Sequence, residues 1–183
     1  MKNSKSKVYQ MAIIGLMAAV ISILGPLSIP IGLVPISLTN FAIFISLYSL
    51  GMKKGTMSVI IYLLVGLAGL PVFSGFEGGA SKLLGPTGGY LIGFIPMALV
   101  AGFFIDRFFN KWYMCILGMI LGSAVCYTLG TSWLAYQANL SASTALAAGG
   151  IPFIAGDLAK IILAAYIGPK LRERLIKADL FFH

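Results

Sequence analysis

Two ionisable side chains stand in an otherwise apolar stretch near the end of the sequence. Residues 149–168 read GGIPFIAGDLAKIILAAYIG, in which Asp157 and Lys160 are three positions apart. On a helix this spacing places both side chains on one face, about one turn apart, where the carboxylate and the ammonium can meet. Either group alone would cost roughly 2.5–3.5 kcal/mol at the centre of a bilayer. The pair is therefore a neutralised ion pair facing the interior of a helix bundle, or a set of ligand-binding groups in a polar cavity.

A glycine-rich segment is the second candidate site. Residues 66–91 read GLAGLPVFSGFEGGASKLLGPTGGYL. Such a loop can bind an anion through its backbone amides where it runs into a helix N-terminus, as TGGYL is expected to do. Glycines serve turns and close helix packing equally often, so the segment alone does not decide between these roles.

Aromatic and polar residues accompany these two segments. Phe73, Phe76 and Tyr90 can form an apolar wall, although aromatic residues near a membrane interface are also typical of an interfacial belt. Thr39 and Asn40, in the stretch PISLTN, are a third polar spot at the start of an apolar run.

Several enzyme classes lack their motifs here. The sequence contains no G-x-x-x-x-G-K-[ST] phosphate loop, no G-x-S-x-G and no H-E-x-x-H, and its single histidine is His183, the last residue. These absences argue against ATP hydrolysis by this chain, a serine hydrolase and an intramembrane zinc protease. Cys115 and Cys126 lie eleven positions apart in one apolar run, roughly 16 Å along a helix, too far for a mutual disulfide. We expect no catalytic residue, metal or cofactor, which leaves binding and translocation.

The composition is that of an integral membrane protein. Of 183 residues, 59% are hydrophobic and 10% charged, whereas about 25% are charged in a typical soluble domain. We predict an all-α protein in which residues 1–183 form one transmembrane domain, a compact bundle of about six spans. The N-terminal MKNSKSKVYQ and the apolar run after it could pass for a secretory signal peptide, but no A-x-A-like cleavage site follows and several more apolar segments do, so we expect this run to be the first span. The predicted spans are about 8–25, 36–51, 55–70, 88–106, 112–136 and 151–169.

The basic residues indicate how the spans are oriented. With six spans, eleven of the thirteen Lys and Arg residues fall on one side, and only Lys82 and Lys160 do not. By the positive-inside rule both termini are cytoplasmic, and residues 170–183 form a cytoplasmic basic tail. Because these charges sit in small groups between apolar runs, the net charge of +8 does not indicate a nucleic-acid partner. The eleven are Lys2, Lys5, Lys7, Lys53, Lys54, Arg107, Lys111, Lys170, Arg172, Arg174 and Lys177.

The connections predicted on the external side differ in composition from the basic connections on the cytoplasmic side. Residues 25–35, 71–89 and 137–150 are poor in charge and rich in Gly, Pro or small polar residues. Such segments suit backbone that folds back over a bundle. Asp157 follows shortly after the third of them, so we expect its cavity to open externally.

Several motifs resemble those of the BioY family, the biotin-specific substrate-binding (S) subunits of energy-coupling factor transporters. The resemblance rests on PISLTN, GLPVFSG, LLGPTGGYLIGF and PFIAGDLAK, in order, and covers nearly the whole chain. Asn40 departs from the pattern, because much of the family is expected to carry glutamine there. The resemblance implies the six-helix S-subunit fold, biotin bound near the external face, and a multi-pass protein of a prokaryotic plasma membrane. It also implies two kinds of partner, a transmembrane coupling subunit and two ATP-binding-cassette ATPases.

The resemblance also assigns residues. Asp157 would accept from the ureido N–H groups of biotin, and Lys160 would donate to the ureido oxygen or to the tail carboxylate. Small residues of the first span would dock on the coupling subunit, namely Ala12, Gly15, Ala18 and Ala19. The other implied binding residues are Thr39, Asn40, Phe73, Ser74, Gly78, Gly79, Gly85, Gly88 and Tyr90.

Two other functions compete with an ATPase-dependent binding subunit. One is a self-sufficient facilitator or ion-coupled carrier of a small organic acid, and the weaker one is an intramembrane enzyme.

Overall fold

The computed structural model describes residues 2–30 and 34–178, with side chains described from Lys7 onward. By length and composition, five helical stretches of the described chain could cross a membrane, and the protein is an all-α, multi-pass integral membrane protein. The elements in order are α1 (Lys2–Leu24), β1 (Ser28–Ile29), β2 (Ile36–Ser37), α2 (Thr39–Leu67), α3 (Ala80–Leu84), α4 (Gly88–Arg107), α5 (Trp112–Ala138), α6 (Ala142–Gly149) and α7 (Ile151–Lys177).

The longest helix, α2, is interrupted at Gly51. This residue has φ +77° and ψ 175°, a backbone conformation that favours glycine. In a continuous helix Leu47 and Gly55 would lie about 12 Å apart along the axis. A Cβ atom on Gly55 would instead lie 3.1 Å from the Cα of Leu47. The chain therefore reverses at Gly51, and segments 39–50 and 52–67 correspond to the two short predicted spans.

Three distant parts of the chain meet around Asp106, at the end of α4. Its Oδ2 accepts from the backbone N–H of Met52 at 2.7 Å, and its Oδ1 accepts from Nη1 of Arg172 at 2.8 Å. The reversal in α2, the end of α4 and the C-terminal part of α7 therefore lie at one end of the bundle, which we call the Asp106 end. These are the segments that carry most of the clustered basic residues.

The opposite end is covered by folded-back connections. Strands β1 and β2 pair antiparallel, with Ser28 opposite Ser37, and the backbone N–H of Gly75 donates to the carbonyl of Pro26 at 3.2 Å. Residues 31–33, in the first of these predicted connections, lie outside the described residues, as do residues 179–183 of the predicted tail. The third connection, 137–150, is largely helical, because α6 begins after Ser141, whose side chain accepts from a backbone N–H of the first turn.

The apolar core is formed mainly by α2, α4, α5 and α7. Helices α4 and α5 approach closely, since a Cβ on Gly122 would lie only 2.8 Å from the carbonyl oxygen of Met97. Cys115 and Cys126 are buried as free thiols. Helix α1 packs along one side of the second segment of α2, where Ser58 Oγ donates to the carbonyl of Ile14 at 3.1 Å.

Candidate functional site

Helix α7 carries the ion pair that the sequence predicts. Lys160 Nζ lies 2.8 Å from Asp157 Oδ1, and Asp157 is only 5% exposed. Lys160 Nζ also donates to the carbonyl oxygen of Ser37, on β2, at 2.7 Å. The ammonium therefore links α7 to the covering hairpin. A buried charge requires such pairing, because leaving it unpaired in a low-dielectric interior is strongly unfavourable.

Two further helices contribute donors to the same carboxylate. Asn40, at the start of α2, donates from Nδ2 to Asp157 Oδ2 at 2.7 Å. The hydroxyl of Tyr127, on α5, donates to the same oxygen. Asp157 thus receives hydrogen bonds from α2, α5 and its own helix, so it is the point at which these three helices are joined. Charge-assisted hydrogen bonds of this kind are the stronger ones in proteins.

A cavity lies beside this cluster, with a polar end and an apolar wall. Its free volume is about 60 Å³. Six of the predicted binding residues line it, which are Thr39, Asn40, Ser74, Tyr90, Asp157 and Lys160. The other lining residues are Val34, Pro35, Ser37, Thr87, Leu91, Phe94, Cys126, Tyr127 and Phe153.

Tyr90 is held in this wall by two glycines. A Cβ on Gly130 would lie 2.2 Å from Tyr90 Cδ1, and one on Gly149 would lie 2.1 Å from the Tyr90 hydroxyl oxygen. Only residues without a side chain leave room for the ring here. The hydroxyl donates to the carbonyl of Gly149 at 2.9 Å, so its proton is used within the protein while the ring faces the cavity.

The hydroxyl group of Thr87 lies in the cavity wall and has no hydrogen-bond partner among the described residues. The residue is buried, and its Oγ1 makes no hydrogen bond to any described group. Buried hydroxyls are normally hydrogen-bonded, and an unpaired one calls for an explanation. Because Thr87 also lines the cavity, its hydroxyl is available to a molecule bound there as donor or acceptor.

Phe73, which the family resemblance implies as a binding residue, lies outside the cavity lining. It is fully buried and packs edge-to-face against Tyr62, with ring centroids 5.5 Å apart. A Cβ on Gly66 would lie 2.1 Å from Phe73 Cζ. The ring therefore fills a hole in the core that Gly66 leaves open.

The four glycines implied as binding residues also lie outside the lining. A Cβ on Gly78 would lie 2.2 Å from the carbonyl oxygen of Leu70, and one on Gly88 would lie 1.7 Å from that of Leu83. Backbone runs against backbone at both places, which is the turn and packing role left open by the sequence. The four are Gly78, Gly79, Gly85 and Gly88.

The lining includes residues that the sequence did not single out. Tyr127 and Phe153 lie in it with their rings stacked, centroids 6.4 Å apart. Tyr127 lies inside an apolar run, where a tyrosine carries no distinguishing signal. Thr87 was detectable in principle, because it belongs to the GPTGG stretch on which the resemblance partly rests.

The small residues of α1 divide into two groups. Ala12, Gly15 and Ala19 are exposed, and a Cβ on Gly15 would meet nothing within 4 Å. Ala18 is 4% exposed and lies in the bundle. Ala18 therefore faces the protein's own core, whereas the other three small residues share the exposed side of α1.

Comparisons with known proteins agree with this architecture. The BioY family model matches residues 1–177. The chain is 40% identical to the "Biotin transporter BioY" of Thermotoga maritima, over 87% of this chain and 93% of that protein. It is 33% identical to "Biotin transporter BioY2" of Lactococcus lactis, over 97% of each.

A solved structure has the same fold. The S-component for biotin from an ECF-type ABC transporter superposes with a TM-score of 0.85 at 37% sequence identity, covering 92% of this chain and 93% of that one. With the family match over nearly the whole length, this shows that the chain belongs to the BioY family.

Proposed function

We propose that this chain is the biotin-binding membrane subunit of an energy-coupling factor transporter, which captures biotin outside the cell and delivers it to the cytoplasm together with an ATPase module. The observation that carries the proposal is the buried Asp157–Lys160 pair in the wall of a cavity that is otherwise largely apolar. Relatives over most of the chain are named biotin transporters. None of those names describes an enzyme.

Biotin has a polar part and an apolar part, which match the polar end and the apolar wall of the cavity. Its ureido group has two N–H donors and one carbonyl acceptor, which a carboxylate and an ammonium complement, while its sulfur-containing ring and hydrocarbon chain are apolar. Asp157 accepts from an ureido N–H, and Lys160 donates to the ureido oxygen or to the tail carboxylate. The apolar parts pack against Leu91, Phe94 and Phe153, which line the same cavity. Mostly apolar walls with a few polar groups are typical of small-molecule sites.

The carboxylate has little spare acceptor capacity. It offers about four lone-pair sites, and Asn40, Tyr127 and Lys160 already donate to it. An ureido N–H therefore takes the remaining site or displaces one of these donors. The Thr87 hydroxyl gives the ligand a further polar partner.

The cavity must enlarge to hold a bicyclic ligand. A free volume of about 60 Å³ suffices for only a few water molecules. The wall includes Pro35 and Ser37, beside or within β2, and Ser74 of the loop that packs on the first connection. Apart from Thr87 in the turn before α4, these covering segments are the parts of the wall not built into long helices. We infer that they move outward to admit the ligand.

Transport requires partners. The chain lacks a phosphate loop, so ATP hydrolysis falls to two ATP-binding-cassette ATPases acting through a transmembrane coupling subunit. The exposed small residues Ala12, Gly15 and Ala19 of α1 allow a partner helix to approach closely. With both termini cytoplasmic, the Asp106 end faces the ATPases and the cavity faces outward.

Two measurements test the proposal. Small-molecule analysis of the detergent-extracted protein is expected to find biotin, and purified protein in liposomes is expected to bind labelled biotin without sustained uptake. Rapid uptake without ATPases would indicate the self-sufficient carrier instead.

A pair of variants tests the assignment of the site. Asp157→Asn is expected to weaken biotin binding by at least about tenfold. Glu173→Gln, which removes an exposed carboxylate from the same helix, is the matched control, and equal affinities for both variants would contradict the assignment.

A further inference from the structure

A second cavity lies at the Asp106 end, far along α7 from the first. It has a volume of about 560 Å³ and lies between the connection from α4 to α5 and the C-terminal part of α7. Its polar lining consists of Asp106, Arg107, Asn110, Lys111 and Arg172. Three cations thus share this cavity with one carboxylate.

The single carboxylate is already engaged within the protein. Asp106 accepts from Arg172 Nη1 at 2.8 Å and from the backbone N–H of Met52 at 2.7 Å. Arg172 is buried, and its guanidinium carbon lies 4.8 Å from the centre of the Phe109 ring. Arg107 and Lys111 are exposed at the rim. The lining therefore carries excess positive charge, and a rigidly held guanidinium forms part of it.

The surroundings place this cavity at the depth of lipid headgroups. Trp112 and Tyr113, next to Lys111 at the start of α5, are 68% and 53% exposed. The ring of Tyr166 is also exposed and lies 3.5 Å from Lys170 Nζ. Exposed Trp and Tyr residues at the ends of membrane helices mark the interface between hydrocarbon and water. An anion bound here would thus be at the level of phospholipid phosphates.

We propose that this cavity binds the phosphate of an anionic phospholipid. Arginine and lysine bind phosphate through charge-assisted hydrogen bonds, and basic pockets between membrane helices on the cytoplasmic side suit anionic headgroups. Asn110 supplies amide N–H groups beside the cations, while Phe108, Phe109 and Ile176 of the lining offer apolar surface to the acyl chains. The proposal is independent of which solute the first cavity binds.

Native mass spectrometry of the delipidated full-length protein tests this site. Phosphatidylglycerol and phosphatidylcholine with identical acyl chains are titrated separately, and inorganic phosphate is added in excess as a competitor. The unmodified protein is expected to bind phosphatidylglycerol at least about tenfold more tightly, since each nearby cation contributes about fivefold. The double variant Arg107→Gln/Lys111→Gln is expected to lose most of that preference.

The control removes one charge away from this cavity. Lys7 is exposed, on α1, and outside the cavity lining, so Lys7→Gln is expected to keep the lipid preference, whereas the single variant Lys111→Gln is expected to lose about fivefold. Equal losses in these two single variants, equal affinities for the two lipids, or displacement of the lipid by inorganic phosphate would overturn the proposal.

Discussion

Asn40 donates a hydrogen bond of 2.7 Å to Asp157, although 117 positions separate the two residues in the sequence. The contact joins the start of α2 to α7 beneath the covering hairpin. Asn40 therefore acts as a hydrogen-bond donor to Asp157, at a position where the family resemblance predicts glutamine. The shorter amide of asparagine reaches the carboxylate here, and the amide N–H is the group that the carboxylate needs.

Replacing this amide by a second acid should damage the site. Asn40→Asp would put two carboxylates within hydrogen-bonding distance in a buried cluster, and like charges so placed disfavour ionisation. We expect biotin affinity, measured by calorimetry, to fall by at least about tenfold. Asn139→Asp is the control, because Asn139 is exposed and ends α5 in a left-handed conformation that aspartate tolerates. A variant Asn40→Asp with unchanged affinity would argue against this cluster as the binding site.

The unpartnered hydroxyl of Thr87 offers a test of ligand contact. Thr87→Val keeps the shape of the side chain but removes the hydroxyl, and we expect about a fivefold or greater loss of biotin affinity with no loss of thermal stability. Thr56 is also buried with an unpartnered hydroxyl, but it lies outside the cavity lining. Thr56→Val should therefore leave affinity unchanged. If the two variants bind biotin equally well, Thr87 is not a ligand contact.

The reversal in α2 depends on Gly51. Alanine at φ +77° and ψ 175° is strained by about 1–3 kcal/mol, and its Cβ would lie 3.0 Å from Asp106 Oδ2. We expect Gly51→Ala to lower the unfolding temperature of the purified protein by roughly 2–12 °C. Gly15→Ala, in an exposed and unobstructed helical position, should not lower it. If Gly15→Ala unfolded at a lower temperature than Gly51→Ala, Gly51 would not be the residue on which the turn in α2 depends.

The exposed face of α1 can be tested apart from ligand binding. Gly15→Leu adds bulk where nothing lies within 4 Å, so the isolated protein should keep its biotin affinity. Because small residues permit close helix contact, copurification with the coupling subunit and ATPases should fall several-fold. Ala124→Leu, at an exposed position on α5, is the control that should still copurify. Unchanged copurification of Gly15→Leu would remove this residue from the docking face.

Much of the fold follows from local patterns. Apolar runs separated by glycine, proline and charge predict the long helices, and the short predicted spans 36–51 and 55–70 already imply a break close to Gly51. The candidate site was less predictable. The glycine-rich segment 66–91 suggests an anion-binding loop in sequence, yet Gly78 and Gly88 serve close backbone contacts, because the same lack of a side chain suits both purposes.

Helix geometry was sufficient to predict that Asp157 and Lys160 would meet, since residues three positions apart share one face of any α-helix. Their neighbours could not be predicted in this way. Asn40 and Tyr127 reach Asp157, and Arg172 reaches Asp106, only because α2, α4, α5 and α7 pack in one particular arrangement. That arrangement depends on the shapes of many side chains and on close approaches such as the one at Gly122, which no short stretch of sequence contains.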